Sequence, residues 1–205
     1  MKIDSDPERP VRLRERLRGE TQGAILAAAE EVFAAEGFDR ARMESIAARA
    51  GVAVGTIYNY FEDREALLAA LVESRRAALL VRLDAAAAEG AGRPFEEAIA
   101  GFLRAWFDHW ATHRGLLSLL FHAGLGRSTR GRGAIVDEVT RRAEAVLARG
   151  RSEGKVAPDE DGLQAALLVG LVWGALMRDL IREGGAAGAS PAEPVLEMFL
   201  RGAGR

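Results

Sequence analysis

Residues 24–68, AILAAAEEVFAAEGFDRARMESIAARAGVAVGTIYNYFEDREALL, decide how this chain folds. Ile25, Ala29 and Phe33 stand at i, i+4 and i+8, and Leu26 and Val32 widen the stripe, which predicts an amphipathic helix over residues 21–36. Gly37 then supplies a left-handed stop. Two short helices follow, over Met43–Ala50 and 54–60, and Gly51 between them lacks the Cβ that would obstruct a reversal. Asp63 is placed to cap a longer helix over 64–88, with Glu65 in its first turn favourable to the helix dipole. The window 50–61 carries no formal charge, so solubility does not account for a surface helix there, whereas a surface that meets something does.

Outward from this stretch the chain continues in helical patterns. The segment 95–113 sets Phe95, Ile99, Phe102, Trp106 and Trp110 on one stripe and Leu103 and Phe107 on another, and a helix apolar almost all round belongs in the middle of a domain. GAGRP at 90–94 ends the helix before it. Further helices are expected over 115–121, 134–149, 159–181 and 191–200, with a mobile, turn-rich segment GLGRSTRGRG at 124–133.

Composition bounds the function. With 205 residues, 49% of them hydrophobic, the chain can build one or two real cores. Alanine runs and only two Tyr favour helix over sheet. The absence of cysteine excludes disulfides, thiolate zinc sites and thiol nucleophiles. MKIDSDPERP at the N-terminus has no apolar core of a signal peptide, and the apolar stretch 163–177 falls short of the roughly 20 residues of a membrane span, so a soluble, cytoplasmic protein without a membrane partner is expected. Net charge is −2, and residues 1–62 hold nine Lys and Arg against eleven Asp and Glu, so bulk charge does not announce a nucleic-acid binder. Locally, Arg12, Arg14, Arg16 and Arg18 face only Glu15 within 11–18. This is either a basic arm able to reach phosphates or the solvated start of a helix.

Residues 24–68 resemble the N-terminal domain of the TetR family of regulators along their whole length. The resemblance rests on Ala28, Ala29 and Phe33 before Gly37-Phe38, on Ile46-Ala47 and Ala50-Gly51-Val52, and on Gly55-Thr56-Ile57-Tyr58 followed by Tyr60-Phe61. It implies an all-α fold: a basic, mobile arm over 1–20, a three-helix helix-turn-helix domain over 21–66, and a helical ligand-binding and dimerisation domain over 67–205. It implies a ligand-responsive transcriptional regulator, a repressor released from a palindromic double-stranded DNA operator by a small apolar or aromatic effector. No enzyme activity, cofactor or metal is expected. Ile46, Ala47, Val52 and Ile57 would pack the short helices on the first. By resemblance Thr56, Tyr58 and Tyr60 would bind phosphates, while Ala53, Val54, Gly55 and Asn59 would face base edges, Val54 against a thymine methyl and Asn59 pairing with adenine. Two positions depart from the family pattern. Ala41-Arg42 replaces the usual Thr or Ser, which leaves Asp39 as the cap and Arg42 free for phosphate or guanine. Arg64 stands where Lys is common, and either cation can meet a phosphate with different geometry.

For the second domain the resemblance implies a homodimer interface made by Leu163, Leu167, Gly170, Leu171 and Gly174 with Val195 and Phe199. Gly170 and Gly174 read equally as close packing within the chain. Phe102, Trp106, Trp110, Phe121 and Trp173 are the candidate effector pocket, with plain core as the other reading. His109 and His113 lie at i, i+4, with Asp108 adjacent and His122 nearby, so a small metal-dependent enzyme is the rival from another class, without a nucleophile or phosphate loop to support it. A sequence-nonspecific architectural DNA binder is the second rival, and it calls for a basic domain.

Overall fold

A computed structural model describes the backbone of residues 8–122, 129–159, 161–182 and 190–203, and the side chains of 14–120, 135–159, 161–182 and 190–202. The described residues form α1 (Glu8–Glu36), α2 (Met43–Ala50), α3 (Val54–Tyr58), α4 (Arg64–Gly90), α5 (Phe95–Thr112), α6 (Arg114–His122), α7 (Thr129–Ser152), α8 (Leu163–Ile181) and α9 (Ala192–Ala203). The fold is all-α, as the patterning predicts. Two compact units divide after Glu73, inside α4, rather than after residue 66.

In the first unit α1 buries Ile25, Leu26, Ala28, Ala29, Val32 and Phe33, the stripe read from the sequence. α1 packs on α2, where Ile46 and Ala47 are buried, and α2 packs on α3, where Ile57 is buried; Leu67, Leu68 and Leu71 of α4 are buried in the same unit. Val52 is only half-buried. The reversal between α2 and α3 is closed by Gly51 at φ +70°, with the Gly51 and Val52 amides donating to the carbonyls of Ala48 and Ala47. That paired arrangement satisfies the last free carbonyls of α2 and needs a left-handed residue at Gly51. The separate arm expected over 1–20 is corrected: residues 8–20 are helical and continuous with the rest of α1. Pro10 falls in the first turn, where a missing amide is harmless, and the Arg and Leu residues after it are good helix formers. Residues 1–7 lie outside the described residues.

In the second unit α5 is central, packing on α6, α7, α8 and α9. Its buried residues are Phe95, Ala98, Ile99, Phe102, Leu103, Trp106, Phe107 and His109. A Cβ on Gly90 would come within 2.8 Å of the Ala98 Cβ, so the end of α4 meets the first turn of α5 only because residue 90 has no side chain. From α7, Arg149 donates to the Gly90 carbonyl at 2.6 Å and to that of Arg93, placing a cation where helix carbonyls run out of amides. The Asp159 carboxylate accepts from the amides of Leu163 (3.2 Å) and Gln164 (2.8 Å), so it caps α8 from outside, and the helix begins at Leu163 instead of 159. Residues 129–133, expected in a mobile loop, are the first turn of α7. Residues 124–128 of that loop lie outside the described residues.

α8 corrects the expectation about length: its 19 residues, at a mean hydropathy of 1.4, are long and apolar enough to cross a membrane by length and composition. Only 28% of that apolar window is buried. Its exposed positions Leu163, Ala166, Leu167, Gly170, Trp173, Gly174 and Ile181 recur at helical spacing, and Arg178 is the charged residue exposed among them.

Candidate nucleic-acid interface

Two buried side chains set the orientation of the uncharged segment. Ile57 is fully enclosed and Phe61 nearly so, which turns the opposite side of α3 outward. Ala53, the N-cap residue, and Gly55, Tyr58 and Asn59 are exposed, while Val54, Thr56 and Tyr60 are half-buried. Tyr58 is 52% exposed. A Cβ on Gly55 would meet nothing within 4 Å, so this face is open as well as uncharged. α3 is shorter than expected. Asn59 is its C-cap, and Tyr60 follows in the turn, its amide donating to the Ile57 carbonyl at 2.9 Å. The Arg18 guanidinium sits 5.6 Å from the centre of the Tyr60 ring.

α2 supports this face from behind. Its N-cap is Arg42, exposed and in extended backbone, and no side chain caps the helix, so the substitute cap expected from Asp39 is not formed. The Asp39 carbonyl has another role. It accepts from Arg64 Nη1 at 2.9 Å, and the Ala41 carbonyl accepts from the same nitrogen at 3.3 Å. The Arg64 guanidinium lies 4.4 Å from the centre of the Phe38 ring, and its Nη2 is 3.8 Å from Glu65. Arg64 is therefore corrected from a phosphate contact to a clamp that holds the α1–α2 turn to the start of α4. A guanidinium can stack on a ring and hydrogen-bond at its edge at once, which an ammonium cannot do. The Asp63 cap is present, its Oδ1 accepting from the Ala66 amide at 2.7 Å.

The candidate effector residues divide. Phe102 and Trp106 are buried in the core of the second unit with rings edge-to-face at 6.3 Å, and Trp110 is half-buried beside them. Phe121's side chain lies outside the described residues. Trp173, expected in the pocket, is 45% exposed on α8. A groove of about 420 Å³ between α4 and α5 is lined by Arg82, Glu89, Arg93, Arg104, Asp108 and small residues, and none of the candidate aromatics borders it. The sequence offered His109 only as a candidate metal ligand beside His113. His109 is 1% exposed, with both ring nitrogens unpartnered, against Trp110 (5.3 Å between ring centres) and His113 (4.7 Å). Burial, with the nearby charges of His113, Arg82 and Arg75, pushes its pKa down to about 4. Among the described residues no group of three or more potential metal ligands converges, and the side chain of His122 lies outside them.

Of the candidate dimer residues, Leu163 and Leu167 are more than half exposed, Leu171 is half-buried, and a Cβ on Gly170 or Gly174 would meet nothing within 4 Å. The two glycines thus serve no packing within the chain. Val195 and Phe199 are corrected: both are buried in the chain's own core, and the exposed apolar residue of α9 is Met198.

Comparison with known proteins adds independent information. Residues 25–71 match the family described as bacterial regulatory proteins, tetR family. The HTH-type transcriptional repressor KstR of Mycolicibacterium smegmatis is 27% identical over 75% of this chain and 73% of its own length. The uncharacterized HTH-type transcriptional regulator TtgW of Pseudomonas putida is 33% identical over 53% of this chain and 78% of its own. The solved structure of FadR from Bacillus subtilis in complex with stearoyl-CoA superposes with a TM-score of 0.72 at 23% identity, covering 87% of this chain and 97% of that one. The exposed, uncharged third helix, its glycine reversal and these relatives agree, and the chain belongs to the TetR family as a transcriptional regulator.

Proposed function

We propose that this regulator is a homodimeric repressor that reads a palindromic DNA operator with the α3 face and leaves it when a small apolar or aromatic effector binds the second unit. The observation that carries the DNA reading is the open, uncharged surface of Ala53, Gly55, Tyr58 and Asn59, held outward by buried Ile57. Asn59 can hydrogen-bond an adenine edge, Val54 can meet a thymine methyl, and the Tyr58, Tyr60 and Thr56 hydroxyls and the Arg42 guanidinium can bind phosphates or, for Arg42, a guanine. The exposed apolar stripe of α8, extended by Met198 on α9, supports dimerisation, because a second copy would cover it and would use the open Gly170 and Gly174 for close approach. Two symmetric chains would read two half-sites on one face of the duplex.

The effector reading is supported by Phe102, Trp106 and Trp110 in the core of the second unit and by His109 against Trp110, a polar group that lacks a partner inside an apolar unit. The stearoyl-CoA bound to the Bacillus subtilis neighbour makes long acyl compounds the first molecules to test. α4 carries residues of both units, so it is the element through which effector and operator affinities would become mutually dependent. Selection of bound sequences from a random duplex pool tests the function directly. An enriched inverted repeat bound by two chains is the expected result, and a pool without enrichment contradicts it.

A further inference from the structure

The arginines ahead of the helix-turn-helix have no part in the α3 face, yet the structure places one of them, Arg18, beside it. Because α1 is one helix from Glu8 to Glu36, its tip is carried rigidly by the unit that holds α3. Every residue from Arg14 to Glu20 is exposed. Arg14 and Arg18, four apart, share a helix face, with roughly 6 Å of axis between them. Arg16 is on a different face and is paired with Glu20 at 3.0 Å. Arg14 and Arg18 have no carboxylate partner among the described residues, and Arg18 lies over the ring of Tyr60, directly after α3. A guanidinium held over an aromatic ring keeps donors free at its edge for an anion.

We infer that Arg14 and Arg18 form a second DNA-backbone site, continuous with Tyr60, through which the tip of α1 binds phosphates flanking the base pairs that α3 reads. The ligand is the phosphodiester backbone of duplex DNA, which presents one charge per about 3.4 Å of axis on each strand, so two guanidinia about 6 Å apart can each take one. The site carries no sequence information and supplies affinity and register. It also reconciles the acidic balance of residues 1–62 with DNA binding, because two unneutralised cations are concentrated where the duplex would pass. The inference rests on the reading of α3 as the groove-facing helix.

The test uses the full-length chain and a duplex recovered by selection from a random pool, at its selected length and with about five base pairs added at each end, with binding followed from 50 to 200 mM KCl. On the extended duplex, Arg14→Gln with Arg18→Gln is expected to flatten the slope of log affinity against log salt by about 1.8 per bound chain, at 0.9 per phosphate contact, and to keep the wild-type preference over a scrambled duplex. Arg16→Gln, which removes a single charge from another face, is expected to change the slope by less than half as much. A wild-type slope in the double variant, or an equal loss in Arg16→Gln, overturns the inference and leaves the α3 reading standing. Failure of the wild type to prefer its selected duplex over the scrambled one overturns both.

Discussion

His109 shows how much one side chain can disclose. An imidazole with 1% exposure and two orphan nitrogens is stable only while neutral, and its pKa of about 4 expresses that. The consequence has a definite sign. In the unfolded chain the histidine takes a proton near its ordinary value of 6.5, whereas in the fold it resists down to about 4. The unfolded state therefore binds more protons in that window, so the stabilisation is complete above pH 6.5 and is lost progressively as pH falls to 4. The size is on the order of 3 kcal/mol. Urea unfolding followed by circular dichroism should show this loss in the wild type and a smaller one in His109→Leu; parallel pH profiles would remove the assignment. Tyr58 and Asn59 carry the opposite lesson. They are polar or amphipathic residues left outside by a neighbour, Ile57, that the core takes entirely.

At the scale of elements, arginines close the gaps between helices. Arg64 binds the carbonyls of Asp39 and Ala41, Arg149 those of Gly90 and Arg93, and Arg114 that of Asp179. Each brings fixed donors to carbonyls in the last turn of a helix or in the turns between helices, where intrahelical amides run out. Arg64→Ala should lower the stability of the first unit by about 2 kcal/mol, the range for hydrogen bonds to a charged group, and Arg64→Lys should recover only part of that, as read from thermal unfolding; full recovery by lysine would show that charge alone matters. These clamps were illegible in the sequence, because they join residues as far apart as 114 and 179 and no local pattern announces them. The stripe of α1, the Gly51 reversal, the Asp63 cap and the all-round apolar α5 were legible, because each depends on neighbours within a turn or two. The sequence misassigned Arg64 for the same reason: a cation after a recognition helix reads as a phosphate ligand until the carbonyls it meets are seen. Val195 and Phe199 were misplaced because helical periodicity shows that a face is apolar and does not show which partner covers it. α9 turns that face onto its own chain, and α8 leaves one outside.

For the whole molecule the proposed assembly rests on the exposed face of α8. Leu163, Leu167, Trp173 and Ile181 leave apolar surface outside, interrupted by Arg178, of the kind that soluble proteins cover with a partner. Leu163→Glu with Leu167→Glu should convert a dimer into a folded monomer in sedimentation, since neither side chain contributes to the core. An unchanged mass would place the interface elsewhere. Because two linked reading heads bind far more tightly than one, the monomer should also lose operator affinity. The claim on which the account depends remains that the outward face of α3 meets DNA. It is tested most directly by titrating the selected duplex, at fixed salt, with the wild type and with Tyr58→Ala combined with Asn59→Ala, two exposed positions whose loss leaves the fold intact. The account predicts affinity reduced by about 1–3 kcal/mol per half-site, with the preference over scrambled duplex largely gone; a variant that binds the selected duplex as tightly and as selectively as the wild type would contradict it.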